Sequence, residues 1–196
     1  MIFFNLIDNG LYKIVFKNGI FDLTTMEFKN RIKQEDYVSK TIHFDYEKPT
    51  DEELSYVRNI LKQICNWNEE HLDYYLSILG YAFTGNSSKE QNFYYHRGQT
   101  ADNGKSFVFE ILEILCPNVV MKANSNVLDK DADLRKEVAT WQGLKFLWLN
   151  EVSPKPKDED LVKAVGDGTS YNYNRLYATE AVIMLQCRFE DSVLMV

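Results

Sequence analysis

Gly98-Gln99-Thr100-Ala101-Asp102-Asn103-Gly104-Lys105-Ser106 stands between an apolar run, Phe93-Tyr94-Tyr95, and a segment with the make-up of a helix, Phe107-Val108-Phe109-Glu110-Ile111-Leu112. A strand, a loop of small residues and Gly-Lys-Ser at a helix start form the arrangement of a phosphate-binding loop. Backbone N–H groups of the loop and of the helix N-terminus converge on an anion, and the partial positive charge there favours it. In that arrangement Lys105 reaches the β- and γ-phosphates of a nucleoside triphosphate and the Ser106 hydroxyl holds Mg²⁺. The spacing departs from the usual motif: Gln99 occupies the place of the first Gly, and the nearest Gly is Gly98. A chance Gly-Lys-Ser after a strand is the competing reading of this segment alone.

A second segment weighs against chance. A nucleoside triphosphatase needs an acidic side chain at the end of a neighbouring strand, to handle Mg²⁺ and the attacking water. Lys145-Phe146-Leu147-Trp148-Leu149-Asn150-Glu151 has that form, an apolar strand ending in a carboxylate. It lies far enough downstream for one strand and its crossovers. Taken alone, the stretch is an ordinary core strand followed by a solvated Glu. Taken with Lys105 and Ser106, it reads as the acidic strand of an ATPase, with Glu151 as the water-polarising base and a Mg²⁺-side group. Asn150 then takes the position of the more usual second acid.

The order of these pieces resembles one family, the helicase part of the poxvirus-type primase-helicases of large and giant DNA viruses, a superfamily 3 group. Asn18-Gly19-Ile20-Phe21-Asp22-Leu23 is similar to the hairpin of the region that precedes the helicase. The stretch Tyr74-Tyr75-Leu76-Ser77-Ile78-Leu79-Gly80 resembles the helix before the ATPase strand. The loop itself, with its extra residue, is similar to that of the giant-virus branch. The last passage is a series: Glu137-Val138-Ala139-Thr140-Trp141-Gln142-Gly143, then Asn150-Glu151, then Asp167-Gly168-Thr169. The resemblance runs from Leu11 to about Thr179. It implies ATP and Mg²⁺ as ligands, single- or double-stranded DNA as partner, a homo-hexameric ring in the intact family, and a role in viral DNA replication in the host cytoplasm or viral factory.

The chain also departs from that family. The family continues into a strand ending in an Asn that senses the γ-phosphate, and then supplies an arginine to the next subunit's site. Val182-Ile183-Met184-Leu185-Gln186-Cys187 fits such a strand by its hydrophobicity, but Arg188 stands where Asn is expected and no Asn follows Asn174. After the acidic strand the arginines are Arg175 and Arg188. The upstream primase domain of the family is absent, and the resemblance therefore implies a copy truncated at its C-terminus. Two further readings stay open: a non-catalytic remnant that binds nucleotide without unwinding DNA, and an unrelated P-loop enzyme such as a small-molecule kinase. The extended N-terminal leader and the missing lid argue against the kinase.

Length and composition fit a globular piece. The 196 residues suffice for one P-loop core and a small accessory unit, and 45% hydrophobic with 14% aromatic residues allow a packed interior. No apolar run reaches the ~18 residues that span a bilayer, and Asn5, Asp8 and Asn9 interrupt the apolar start, so neither a membrane span nor a signal peptide is expected. Cys65, Cys116 and Cys187 are far apart in apolar contexts, as buried reduced thiols are. They, and the scattered His43, His71 and His96, show no metal-ligand spacing. A net charge of −7 argues against binding nucleic acid with the whole surface, though not against binding through a few loops. The basic stretches Lys29–Lys33 and Lys155–Lys157 read as solvated faces.

The expected fold is α/β: a P-loop NTPase sheet of AAA+-like, parallel type over 91–196, incomplete at its end, behind a β-hairpin leader at 1–45 and a helical leader at 46–90. In the first part, apolar and polar positions alternate around Asn18-Gly19. In the second, Thr50 and Glu53 form a capping box, and Leu54, Val57, Ile60, Leu61 and Ile64 make one apolar stripe. A second helix runs from Asn68 to near Gly85. Residues Gly166 to Tyr177, with their Gly and Asn, read as a tight-turned hairpin. By the resemblance this segment enters the ring channel, with Tyr171 and Tyr173 stacking on bases and Arg175 and Lys163 on phosphate. A hairpin that packs its tyrosines on the domain is the alternative.

Overall fold

A computed structural model describes residues 12–30, 40–86, 89, 91–96, 104–130, 137, 139–141, 143–152 and 154–167, and the backbone of 182–186. The chain begins with a three-stranded antiparallel sheet, β1 (Lys13–Phe16), β2 (Gly19–Asp22) and β3 (Glu27–Lys29). Phe16 pairs with Gly19, so the two turn residues are Lys17 and Asn18, and neither has a positive φ. The expected Asn-Gly turn is therefore shifted by one residue, for two tertiary reasons. A Cβ on Gly19 would sit 2.1 Å from the Lys29 carbonyl oxygen, so only Gly lets β3 approach. The Asn18 carboxamide is committed elsewhere: it accepts from Tyr46 N at 2.8 Å and donates to Tyr46 O at 3.0 Å. The segment at 40–46 thereby lies along β1, with Ile42 N donating to Val15 O at 2.8 Å.

Two helices follow, α1 (Asp51–Ile64) and α2 (Glu69–Thr84). Thr50 and Glu53 form the expected capping box, Asn68 caps α2 by accepting from His71 N, and Gly85 closes α2 in the left-handed conformation. The apolar stripe of α1 behaves otherwise than its pattern suggests. No α1 residue is fully buried, Leu54 and Val57 are each 53% exposed, and the half-buried Ile60, Leu61 and Ile64 lie toward its end. Arg58 bridges to Glu69 and Asp73 across the helix pair, but these charges are exposed and contribute little.

The remainder alternates β4 (Tyr94–His96), α3 (Lys105–Leu115), β5 (Val120–Ala123), β6 (Phe146–Asn150), α4 (Glu159–Asp167) and β7 (Val182–Gln186). The four strands form one parallel sheet in the order β4-β7-β6-β5. The run Phe146-Leu147-Trp148-Leu149 is apolar throughout because both faces of the sheet are covered. Leu147 and Leu149 pack with Leu161 and Val165 of α4 and with Trp141; Phe146 and Trp148 pack on the opposite face with Val108 and Phe109 of α3. The same opposite-face core holds Tyr75, Ile78, Leu79 and Ala82 of α2 and Ile42 of the first part. Phe109, fully buried, stacks on Trp148 with centroids 5.5 Å apart and pins α3 to the sheet. Truncating such a ring to Ala costs about 3–5 kcal/mol.

Gly166 and Asp167, expected to open a hairpin, instead complete α4. Gly166 is buried, and a Cβ there would meet the Phe93 ring at 3.0 Å, so this glycine serves packing rather than a turn. The rest of that hairpin segment, 168–177, lies outside the described residues. None of the described helices is long and apolar enough to cross a membrane.

Candidate nucleotide site

The carboxyl ends of the parallel strands set the site. The register places His96 of β4 opposite Gln186 of β7, and Gln186 opposite Asn150 of β6, so the three form one row. With strands about 4.8 Å apart, the ends of β4 and β6 stand roughly 10 Å from one another. β4 ends at His96, and α3 starts at Lys105 from Gly104, which has a φ of 81°. Thr50 and Asn68 offer side-chain oxygens to the first turns of α1 and α2, whereas Gly104 has none to offer the first turn of α3. An uncapped helix start of this length suits an anion, because its N–H groups and dipole favour negative charge. Lys105 and Ser106 are both half-buried at that start. Gly98, Gln99, Thr100, Ala101, Asp102 and Asn103 lie outside the described residues.

At the end of β6, Asn150 is half-buried and Glu151 is exposed. Glu151 has a φ of 54°, a left-handed conformation rare for a residue with a side chain and costing of order 1 kcal/mol. Beside it opens a polar cleft of about 570 Å³ lined by Asn150, Glu151, Asn124, Ser125, Glu137 and the end of β5. Glu137 accepts from Asn124 N at 2.6 Å, which ties the segment of the motif series to the end of β5. Asn124 and Ser125 carry no motif; their only signal in the sequence is a pair of polar residues directly after an apolar strand.

His96 is also a residue the motifs do not single out. Its ring lies 4.8 Å from that of Tyr75 in α2 and 5.2 Å from that of Phe109 in α3. Burial, aided by the Lys105 ammonium, lowers its pKa from 6.5 to about 4, so the ring is neutral at physiological pH. The strand that enters the loop thus ends in an uncharged aromatic contact.

Of the groups expected on DNA, Lys163 is exposed on α4, while Tyr171, Tyr173 and Arg175 lie outside the described residues, as does Arg188. Cys65 and Cys116 are free thiols, and burial raises the pKa of both, that of Cys116 to about 11. Among the described residues no group of three His, Cys, Asp or Glu is placed to hold a metal ion. A metal arriving with a nucleotide needs no such cluster, since phosphate oxygens and water fill most of its shell.

The fold and site define an α/β chain with a lysine-serine helix start and a carboxylate strand on one parallel sheet. Residues 2–66 match the family described as D5 N terminal like. Over 131 residues the chain is 32% identical to the protein named "Putative helicase 121R" of Invertebrate iridescent virus 3, covering 64% of this chain and 13% of that protein. These matches support a relationship to the viral primase-helicase family. It spans only 13% of the length of that relative.

Proposed function

We propose that this chain is the ATP-binding part of a DNA helicase acting in viral DNA replication, with a P-loop sheet of the superfamily 3, AAA+-like type. The observation that carries the reading is the sheet order. β4 leads to Lys105 and Ser106, β6 ends at Asn150-Glu151, and β7 lies between them. Ligands of open parallel sheets bind beyond the carboxyl ends of the strands, and here those ends carry a cationic helix start on one side and a carboxylate on the other. With Mg·ATP bound, the Lys105 ammonium would balance the β- and γ-phosphates, the Ser106 hydroxyl oxygen would be a ligand for Mg²⁺, and Glu151, with Asn150 beside it, would orient a water. The segment from Gly98 to Asn103 would supply further backbone N–H groups to the phosphates. DNA runs over Lys163, Tyr171, Tyr173 and Arg175.

Titration of the chain with a fluorescent ATP analogue and Mg²⁺ tests the reading. Binding should saturate in the unaltered chain and be abolished in Lys105→Ala, which removes the charge facing the phosphates. Equal affinity in the two would sink the loop assignment. A second reading, binding without unwinding, draws on Arg188 standing where the family has Asn.

A further inference from the structure

Both ends of the candidate phosphate loop are held by residues of the helical leader. At the entry, the His96 ring sits against Tyr75 of α2, and Tyr75 is 5% exposed with its hydroxyl buried without a hydrogen-bond partner. Among the described residues the Tyr75 hydroxyl has no partner, so the contact with His96 is made by the ring. At the exit, Ile64, the last residue of α1, closes on Gly104: a Cβ at that glycine would stand 3.0 Å from Ile64 Cγ1 and 3.2 Å from Cδ1. Ile64 and Tyr75 pack in one core with Val108 and Phe109 of α3. The two contacts therefore brace the last described residue before the loop and the first described residue after it from the same pair of helices.

We propose that Ile64 and Tyr75 are positioning residues for the phosphate loop, so that the α1–α2 leader sets the separation and direction of its two ends. The proposal rests on the nucleotide reading for its consequence, but its physical content is the fixing of Gly104 and of the α3 start. A loop whose ends are pre-placed spends less of its binding free energy on ordering. Releasing either end lets the first-turn N–H groups of α3 open more often and weakens anion binding without touching Lys105 or Ser106.

Amide hydrogen exchange of the nucleotide-free chain, followed on peptides covering 94–108, tests this directly. Ile64→Ala and Tyr75→Ala should each speed exchange at Val108, the first amide of α3 with a partner inside the helix, about tenfold or more, with α4 unchanged. Ile64→Val, which keeps the nearer Cγ contact with Gly104, and Tyr75→Phe, which keeps the ring on His96, should stay close to the unaltered chain. Ile78→Ala, a truncation in the same core one turn further along α2, serves as the control for simple loss of stability. Equal acceleration in Ile78→Ala, or none in Ile64→Ala and Tyr75→Ala, overturns the proposal. The same variants should weaken Mg·AMP-PNP about tenfold, and Ile78→Ala less than about twofold. If exchange responds as expected while the unaltered chain binds no nucleotide, the brace stands and the nucleotide reading falls.

Discussion

Gly104 carries two constraints on one residue. Its φ of 81° disfavours any side chain, and the space a Cβ would need is occupied by Ile64. Gly104→Ala should cost about 1–2 kcal/mol in chemical denaturation. It should also weaken nucleotide binding, since the α3 start is displaced; unchanged values for both would show that the chain relaxes there freely. His96 has a consequence in acid. Its folded pKa of about 4 lies below its ordinary 6.5, so between those values the unfolded chain takes up a proton that the folded chain refuses. Stability should thus be unaffected by this group above pH 6.5 and fall as pH drops, by on the order of 1–2 kcal/mol between pH 6.5 and pH 5. His96→Phe keeps a ring between Tyr75 and Phe109 and removes the proton site. Denaturation curves across that window should be flatter in the variant, and an identical slope would show that His96 does not report there.

At the scale of elements, the segments leaving β5 and β6 are fastened to each other. Asp129 and Lys157 form a bridge, with Lys157 Nζ 2.6 Å from Asp129 Oδ1 and both side chains nearly buried. Lys130 N donates to Pro156 O at 3.0 Å and Asp158 N to Leu128 O at 2.8 Å alongside it. Each segment begins at the polar cleft, one with Asn124 and Ser125 and the other with Glu151. Breaking a buried pair is costly because one charge remains without water. Lys157→Met should destabilise by about 3–5 kcal/mol, while Asp129→Leu combined with Lys157→Met should recover most of the loss. Urea titration of the single and double variants checks this; additive losses would show that the two charges act independently. The α1 helix presents a contrast, since its capping box is complete while Leu54 and Val57 stay half-exposed.

For the whole molecule, the expected behaviour follows from which charges the chain carries after β6. Its arginines there are Arg175 and Arg188, and no Asn follows Asn174. An arginine reaching the developing γ-phosphate charge contributes about 10³–10⁵ in rate in related P-loop enzymes. In the proposed role Glu151 would orient water but, being an anion, would not offset that charge. The purified 196-residue chain should therefore bind Mg·ATP, hydrolyse it very slowly and not separate a forked DNA duplex. Robust ATP-dependent unwinding that disappears in Glu151→Gln would show that the segment after α4 supplies the missing groups.

Local signals were readable directly. The caps at Thr50, Asn68 and Gly85, the run from Phe146 to Asn150 and the helix opening at Lys105 all depend on neighbours in the chain, so residue type and spacing sufficed to find them. The family was legible for the same reason, as its motifs are short and ordered. Other features belong to contacts between distant residues. Asn18 turns from a hairpin signal into a partner of Tyr46, Gly19 and Gly166 are glycines because Lys29 and Phe93 press on them, and the α1 stripe stays open because no described element lies over Leu54. The sequence by itself singled out Lys105, Ser106 and Glu151 as candidates for the charge, the hydroxyl and the carboxylate. Only the tertiary structure decided that β7 lies between β4 and β6, aligning His96, Gln186 and Asn150, and that Tyr75 and Ile64 of the leader helices lie against His96 and Gly104. Strand order and helix docking are set by burial of both faces of the sheet at once, a condition no local window of residues contains.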